Sequence, residues 1–365
     1  MRIIISKEKF LDVLKRTNCV INPRPTTPIL NNVLLSAHGD KLKITAMDND
    51  MTIITSTGAL IEEEGDTTLP SKILMQIVGA FPQGDITLET DQDDEAKLTC
   101  RNSSFKIHGL PASDYPEVSE QVSDWEFSMP TRELMRGLAK VTYARSTDES
   151  RKQLNGVVLS IRKGLTTLAA TDGRRLALQE NQQQEEVSNE GDYILAAKVS
   201  TDLAKCMDDS SDKVKVRVNG SYAVFETEAT TLMTRLVEGI YPNFRQVIPE
   251  NCGNTVSVPR TQLIDVISRV SLIIQGTSNP IRMTFKENSL VISASNAEAG
   301  ESKESIEVAY EGEEITVSFN HAYIPEPLKI MESDNVSLEF GKQFAPLKIT
   351  GEEGFLYMLM PMRSN

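Results

Sequence analysis

The chain has 365 residues and carries 38 Lys and Arg against 52 Asp and Glu, a formal net charge of −14. That length allows two or three domains of roughly 100–200 residues, and no apolar run approaches the ~18–20 residues of a membrane span. The acidic total argues against a nucleic-acid partner, unless positive charge is gathered on one part of the surface.

The first element is a predicted amphipathic helix, Lys7–Asn18, with Phe10, Leu11 and Leu14 on one stripe. The segment LNNVLLSAHGDKLKITAMD (30–48) reads as strands; Leu42, Ile44 and Ala46 point one way, Lys43 and Thr45 the other. A second helix is predicted over Ser71–Ala80, and DITLET (85–90) is a later strand. Then the order starts again. A helix over Thr131–Arg145 carries Leu134, Met135 and Leu138, and LNGVVLSIRKGLTTLAATD (154–172) follows it. Next come a helix over Ala196–Met207 and the strand KVKVRV (213–218). A third round has a helix over Arg260–Ile274, with Leu263, Ile264 and Ile267, and then SNPIRMTFKENSLVISASN (278–296). Its second helix, His321–Met331, should be short or broken because Pro325 and Pro327 restrict it. NVSLEF (335–340) is a strand near its end. Pro130 and Pro259 each precede a helix, as proline often does.

The rounds are equally spaced. Asn31, Asn155 and Asn279 stand about 124 residues apart, as do Ala46, Ala170 and Ala294, and Asp48, Asp172 and Asn296. A repeat of that length is a domain rather than a solenoid unit. The expected fold is α+β: three tandem repeats of a two-helix, antiparallel-sheet domain, with boundaries at 1–123, 124–252 and 253–365. Equivalent domains in tandem suggest an arc or ring.

The acidic total hides a basic subset. The six helical windows hold 14 Lys and Arg against 6 Asp and Glu, so the excess of acid lies elsewhere. Arg132, Arg136 and Lys140 are spaced i, i+4, i+8 and are expected on one helix face. An arc with a basic concave side would hold a polyanion by its phosphates without reading bases.

Chemistry motifs are lacking. There is no P-loop, GxGxxG, HExxH or GxSxG. Cys19, Cys100, Cys206 and Cys252 form no CxxC and are expected as reduced, mostly buried thiols. His38, His108 and His321 are far apart, so no metal or cofactor is expected. In TDGRRLAL (171–178), Asp172 and Gly173 should make a turn, leaving Arg174 and Arg175 as binding or surface residues. MRIIISKEKF has no signal-peptide layout, so a cytoplasmic protein without membrane attachment is expected.

Three tandem α+β repeats, ATDGRRLAL, YPNFRQVIP, FNHAY and the terminal MPMR together resemble the bacterial DNA polymerase III beta subunit family, the sliding clamps, over the whole chain. The resemblance implies a homodimeric six-domain ring around double-stranded DNA, bound without sequence preference and without catalysis. It also implies a clamp loader, the polymerase III catalytic subunit, and other polymerases and repair proteins as partners. Their peptides, typically carrying Gln, Leu and Phe, would enter a cleft between the second and third domains.

The matching cleft positions in the second domain are Leu154, Thr171, Gly173, Arg174, Leu176, Pro242 and Val247. In the third they are Asn320, Tyr323, Phe344 and Pro346, then Met358, Met360, Pro361, Met362 and Arg363. The residues agree in part: Met358, Met360 and Met362 alternate along a last strand, and a methionine-rich face adapts to varied partners. For DNA, the resemblance implies Arg24, Arg151, Lys152 and Lys198, beside the Arg132, Arg136 and Lys140 face. For the dimer, it implies Phe105 and Ile107 of one chain against Leu272 and Ile273 of the other. Gln246 stands where many relatives carry arginine, and Lys152 and Gln153 stand where some carry aromatics.

Two other classes stay open at this point. One is a three-domain scaffold that binds peptides but not DNA, favoured by the acidic total. The other is a hydrolase using Asp172 and its arginines, opposed by the missing nucleophile and metal constellation.

Overall fold

In the computed structural model, the described residues are 1–22, 24–25, 27–91, 93–118, 123–182, 189–207, 211–274, 276, 280–342 and 344–362. The first repeat runs β1 (Arg2–Ser6), α1 (Lys7–Asn18), β2 (Asn32–His38), β3 (Lys41–Met47), β4 (Met51–Gly58), β5 (Leu60–Glu63), β6 (Gly65–Pro70), α2 (Ser71–Ala80), β7 (Asp85–Thr90), β8 (Glu95–Cys100) and β9 (Ser103–His108). The second runs β10 (Trp125–Pro130), α3 (Thr131–Val141), β11 (Val157–Arg162), β12 (Leu165–Thr171), β13 (Arg175–Gln182), β14 (Gly191–Leu195), α4 (Ala197–Cys206), β15 (Lys213–Val218), β16 (Tyr222–Glu226) and β17 (Thr230–Arg235). The third runs β18 (Asn254–Pro259), α5 (Arg260–Val270), β19 (Ile281–Lys286), β20 (Ser289–Asn296), β21 (Gly300–Glu307), β22 (Ile315–Phe319), α6 (Pro325–Ile330), β23 (Asn335–Phe340), β24 (Leu347–Thr350) and β25 (Phe355–Leu359).

The chain separates into two compact units, Met1–Met135 with Thr201–Leu236, and Arg136–Ser200 with Val237–Asn365. The first holds a five-stranded sheet, β5-β1-β7-β8-β9, and an eight-stranded one, β10-β15-β16-β17-β4-β3-β2-β6. The second holds an eight-stranded sheet, β14-β11-β12-β13-β25-β24-β23-β18, and a four-stranded one, β21-β20-β19-β22. Every pairing is antiparallel. Each long sheet joins strands of two successive repeats, at β17–β4 and at β13–β25. The ladder thus passes from one repeat to the next, while β9 and β21 stand at sheet ends.

The spacing of 124 residues has a local cause. Asp48 Oδ1 accepts the N–H groups of Asp50 and Met51 at 2.9 and 2.7 Å. Asp172 Oδ1 accepts those of Arg174 and Arg175 at 2.8 and 3.1 Å. Asn296 Oδ1 accepts those of Glu298 and Ala299 at 2.8 and 3.1 Å. The same side-chain-capped turn therefore follows the same strand in each repeat. Two residues upstream, Ala46, Ala170 and Ala294 are buried, so the periodic positions are turn and core.

Helix bounds follow local signals. Ser6 caps α1 by accepting the Lys9 N–H. The third helix stops at Val141, short of the expected Arg145, and continues as a 3₁₀ turn over Thr142–Ala144. Thr142 Oγ1 donates back to the Leu138 carbonyl at 2.7 Å, a bond that competes with further helix. The helix from Arg260 likewise ends at Val270, with a 3₁₀ turn over Ser271–Ile273. Thr45, expected on an open face, is buried; the Tyr115 hydroxyl donates to its carbonyl. Among the described residues no helix is long and apolar enough to cross a membrane.

Candidate functional site

In the second unit, Leu176 of β13 lies opposite Met358 of β25. Both are 2% exposed and pack with Val158, Ala169, Leu178, Ile194, Tyr241 and Phe244, and half-buried Leu154 closes on that cluster. This apolar floor is overlaid by the turn Thr171–Arg175. Thr171 Oγ1 donates to the Arg175 carbonyl at 2.6 Å and accepts the Gly173 N–H at 3.1 Å. Gly173 sits at φ +87, a conformation open to glycine at little cost. The Tyr241 hydroxyl accepts the Thr171 N–H at 3.1 Å, tying the turn to the floor.

Pro242 and Val247 are exposed on the stretch beside Tyr241 and Phe244. On the third-repeat side, Asn320 caps its own turn: its Oδ1 accepts the Ala322 N–H and its carbonyl the Tyr323 N–H. Phe344 is 61% exposed with φ +73, an unusual conformation for an aromatic residue, and it leads through Pro346 into β24.

Met358, Met360 and Met362 do not share a strand face as expected. The last strand ends at Leu359, which leaves only Met358 on it, and Met358 is core. Past the strand, the Met360 N–H donates to the Arg174 carbonyl and the Met362 N–H to the Ser318 carbonyl, both at 2.8 Å. The chain end so crosses from one sheet of the unit to the other, with Met360, Pro361 and Met362 half-buried at the surface. Arg363, and Ser364 and Asn365 after it, lie outside the described residues.

Arg175, which sequence reasoning passed over for its neighbour, is the buried anchor. Its guanidinium pairs with Asp172 at 3.1 Å and with Glu326, and donates to the Tyr143 carbonyl at 2.7 Å. It lies 4.2 Å from the centre of the Tyr323 ring. Arg174, by contrast, is exposed. Asp172 is thereby committed to a turn and an ion pair, which removes it as a catalytic acid. Beside this anchor opens a cavity of about 640 Å³ whose walls include Arg145, Asp148, Arg151, Gly173, Arg174 and Tyr323. Arg151, expected to face DNA, lines this cavity, is exposed and pairs with Asp148 at 3.5 Å.

The basic face expected on α3 divides. Arg132 is exposed. Arg136 is exposed but paired with Glu332 at 2.9 Å and Glu352 at 3.4 Å. Lys140 is 3% exposed, pairs with Glu352 at 2.5 Å, donates to Gln179 at 3.1 Å and lies over the Phe355 ring. A buried, paired ammonium cannot reach a phosphate, so Lys140 is a structural residue. Eight residues of helix turn it about 80° from Arg132, off the exposed stripe. Arg24 and Lys152 are exposed in their loops, and Lys198 is half-buried in the first turn of α4. Lys9, Lys15 and Lys72 add exposed basic positions on α1 and α2.

Burial pushes the Glu352 carboxyl up, but the Lys140 hydrogen bond and the Glu332 and Ser333 N–H groups outweigh it and hold the carboxyl below its ordinary 4.5. A lowered folded value stabilises the fold above the unfolded value and is lost as pH falls through the lowered one. Glu352→Gln is expected to reduce unfolding resistance at neutral pH and to flatten its decline below pH ~4.5. Denaturant midpoints across acid pH check this; curves parallel to wild type would exclude the pair as a contributor.

At the two sheet ends, Phe105 on β9 is 41% exposed, edge-on to Phe81 at 5.4 Å. Ile107, expected to reach across a dimer, is 9% exposed and belongs to its own core. Leu272 is 80% exposed, in the 3₁₀ turn that packs against β21, and Ile273 beside it is half-buried. Among the described residues no metal-binding group of His, Cys, Asp or Glu occurs.

Three models of one family match the chain: DNA polymerase III beta subunit, N-terminal domain over 1–119, central domain over 128–243, and C-terminal domain over 245–363. The beta sliding clamp of Caulobacter vibrioides is 30% identical over 371 residues, all of both chains. That of Chlamydia pneumoniae is 28% identical over 363 residues, 100% of this chain and 99% of the relative. Among solved structures, a sliding clamp from Pseudomonas aeruginosa bound to griselimycin has TM-score 0.95 at 26% identity over all of both chains. A C. crescentus beta sliding clamp has TM-score 0.93 at 29% identity, covering 100% of this chain and 99% of that one.

Proposed function

The chain belongs to the DNA polymerase III beta subunit family and is a DNA sliding clamp, a processivity factor without catalysis, and we propose that two copies close its ring head to tail through β9 and β21. The carrying observation is the sheet order. The last strand of the second repeat, β17, pairs with β4 of the first, and the last strand of the third, β25, pairs with β13 of the second. The equivalent last strand of the first repeat is β9, and the equivalent acceptor in the third is β21. Both stand at sheet ends, where unpaired N–H and C=O groups invite a partner strand. A second copy supplies each with the pairing that the repeat makes elsewhere, and a head-to-tail contact that closes gives a ring. Exposed Phe105 on β9 and exposed Leu272, in the turn packed against β21, are apolar residues placed at these two strands.

The three repeats act as domains 1–123, 124–252 and 253–365; the family-model spans support this division. Within the ring, exposed Arg24, Arg132 and Lys152 and half-buried Lys198, with partly neutralised Arg136 and Arg151, contact duplex phosphates without reading bases. The floor of Leu154, Leu176 and Met358, with Pro242, Val247 and Met360 at its sides, takes the apolar side chains of partner peptides. The clamp loader, the polymerase catalytic subunit, and other polymerases and repair proteins are the partners, in the cytoplasm. Tethering them raises effective concentration rather than intrinsic affinity for DNA.

Met360→Glu tests the cleft. A charge beside the apolar floor should weaken binding of a peptide carrying Gln, Leu and Phe at least tenfold while leaving the oligomer mass unchanged. Unaltered peptide affinity would remove Met360 from the cleft, and joint loss of peptide and oligomer would make it a packing residue.

A further inference from the structure

Cys19 and Cys206 are remote in sequence but adjacent in the first unit. Cys19 closes the C-terminal end of α1, where its N–H bonds the carbonyls of Arg16 and Thr17. Its thiol donates to the Lys15 carbonyl at 3.5 Å. Cys206 is the last residue of α4, and the two thiols hydrogen-bond to each other. Cys206 is fully buried, whereas Cys19 is half-buried and open to solvent on one side. Lys205, paired with Asp202 at 2.8 Å, places its ammonium within electrostatic reach of both sulfurs.

We propose that Cys19 and Cys206 form a reversible dithiol–disulfide site that exchanges with small-molecule disulfides, Cys19 attacking and Cys206 resolving. The asymmetry sets the roles, because the attacking sulfur must be reachable and the resolving one need only reach its neighbour. The Cys206 hydrogen bond to Cys19 favours the Cys19 thiolate, outweighs burial and nearby Asp202, and lowers Cys19 below the ordinary 9.0. The other two cysteines lack this environment. Cys100 is buried with its thiol turned to the Pro82 carbonyl, and burial raises Cys252.

The exchange balances without a further reagent. The Cys19 thiolate attacks one sulfur of the small disulfide, the S–S bond breaks, and one small thiolate leaves, taking up a proton from water. The Cys206 thiol gives its proton to solvent, and its sulfur attacks the Cys19 sulfur, expelling the second small thiol. Two protein thiols are oxidised by two electrons and one small disulfide is reduced to two thiols. The sulfurs move from hydrogen-bonding distance to a bond of about 2.05 Å. The bridge would join the ends of α1 and α4, helices of the first and second repeats, and so fasten those repeats covalently.

The test uses the full chain incubated with oxidised glutathione, then unfolded, alkylated with a maleimide and mapped by mass spectrometry. Wild type should lose two of its four free thiols, yield one linked peptide pair carrying Cys19 and Cys206, and regain four thiols with dithiothreitol. Cys206→Ser should stop at one glutathione on Cys19, and Cys19→Ser should keep its three thiols free. Four free thiols in wild type would overturn the proposal. So would a glutathione adduct on wild-type Cys19 that never resolves, or oxidation of Cys100 or Cys252 at the same rate.

Discussion

Arg175→Ala is expected to cost ~3–5 kcal/mol of stability in the second unit, because removing one member of a buried charge cluster leaves the others unpaired. Asp172 would lose its ion pair, Tyr143 a donor to its carbonyl, and Tyr323 the guanidinium over its ring. Glu326 is the more exposed partner, so water offsets part of its loss. The same change should weaken partner-peptide binding, since Arg175 holds the Thr171–Arg175 turn over the floor. Lysine should rescue little, as a single ammonium cannot reproduce the planar fork. Urea midpoints and peptide titration check both effects. A variant as stable as wild type, with unchanged peptide affinity, would show that the cluster anchors nothing.

Phe105→Asp combined with Leu272→Asp is expected to convert the dimer into monomers of 40.5 kDa. Burying one partly exposed aromatic or leucine contributes about 2 kcal/mol. A two-membered head-to-tail ring repeats its interface, so loss of one such residue alone amounts to ~4 kcal/mol, roughly a thousandfold in dissociation constant. Both residues are exposed in the single chain, so each monomer should remain folded. Light scattering and circular dichroism separate the outcomes: a folded monomer is expected, and a folded dimer would place the interface elsewhere.

Much of this architecture is legible in the residues. The helices Lys7–Asn18 and Ser71–Ala80 take the bounds that their apolar stripes predict, because Ser6 and the adjoining strands punctuate them. The 124-residue spacing is legible because its markers, Asp48, Asp172 and Asn296, perform the same backbone capping. Side-chain facing is less legible. Adjacent strand residues point to opposite sides, and nothing local told Arg174 from Arg175. Helical drift carried Lys140 inward, where Glu352, a partner more than 200 positions away, compensates its charge. The alternation of methionines overstated the last strand, since its pairing with β13 ends at Leu359. Each of these depended on tertiary partners that a local pattern does not contain.

The most direct measurement of a closed ring is retention on plasmid DNA after loading, compared between circular and linearised molecules. A sliding ring should stay on the circle and run off cut ends. Phe105→Asp with Leu272→Asp should be lost from both. Equal retention of the wild-type protein on circular and linear DNA would contradict topological binding and leave ordinary surface attraction in its place.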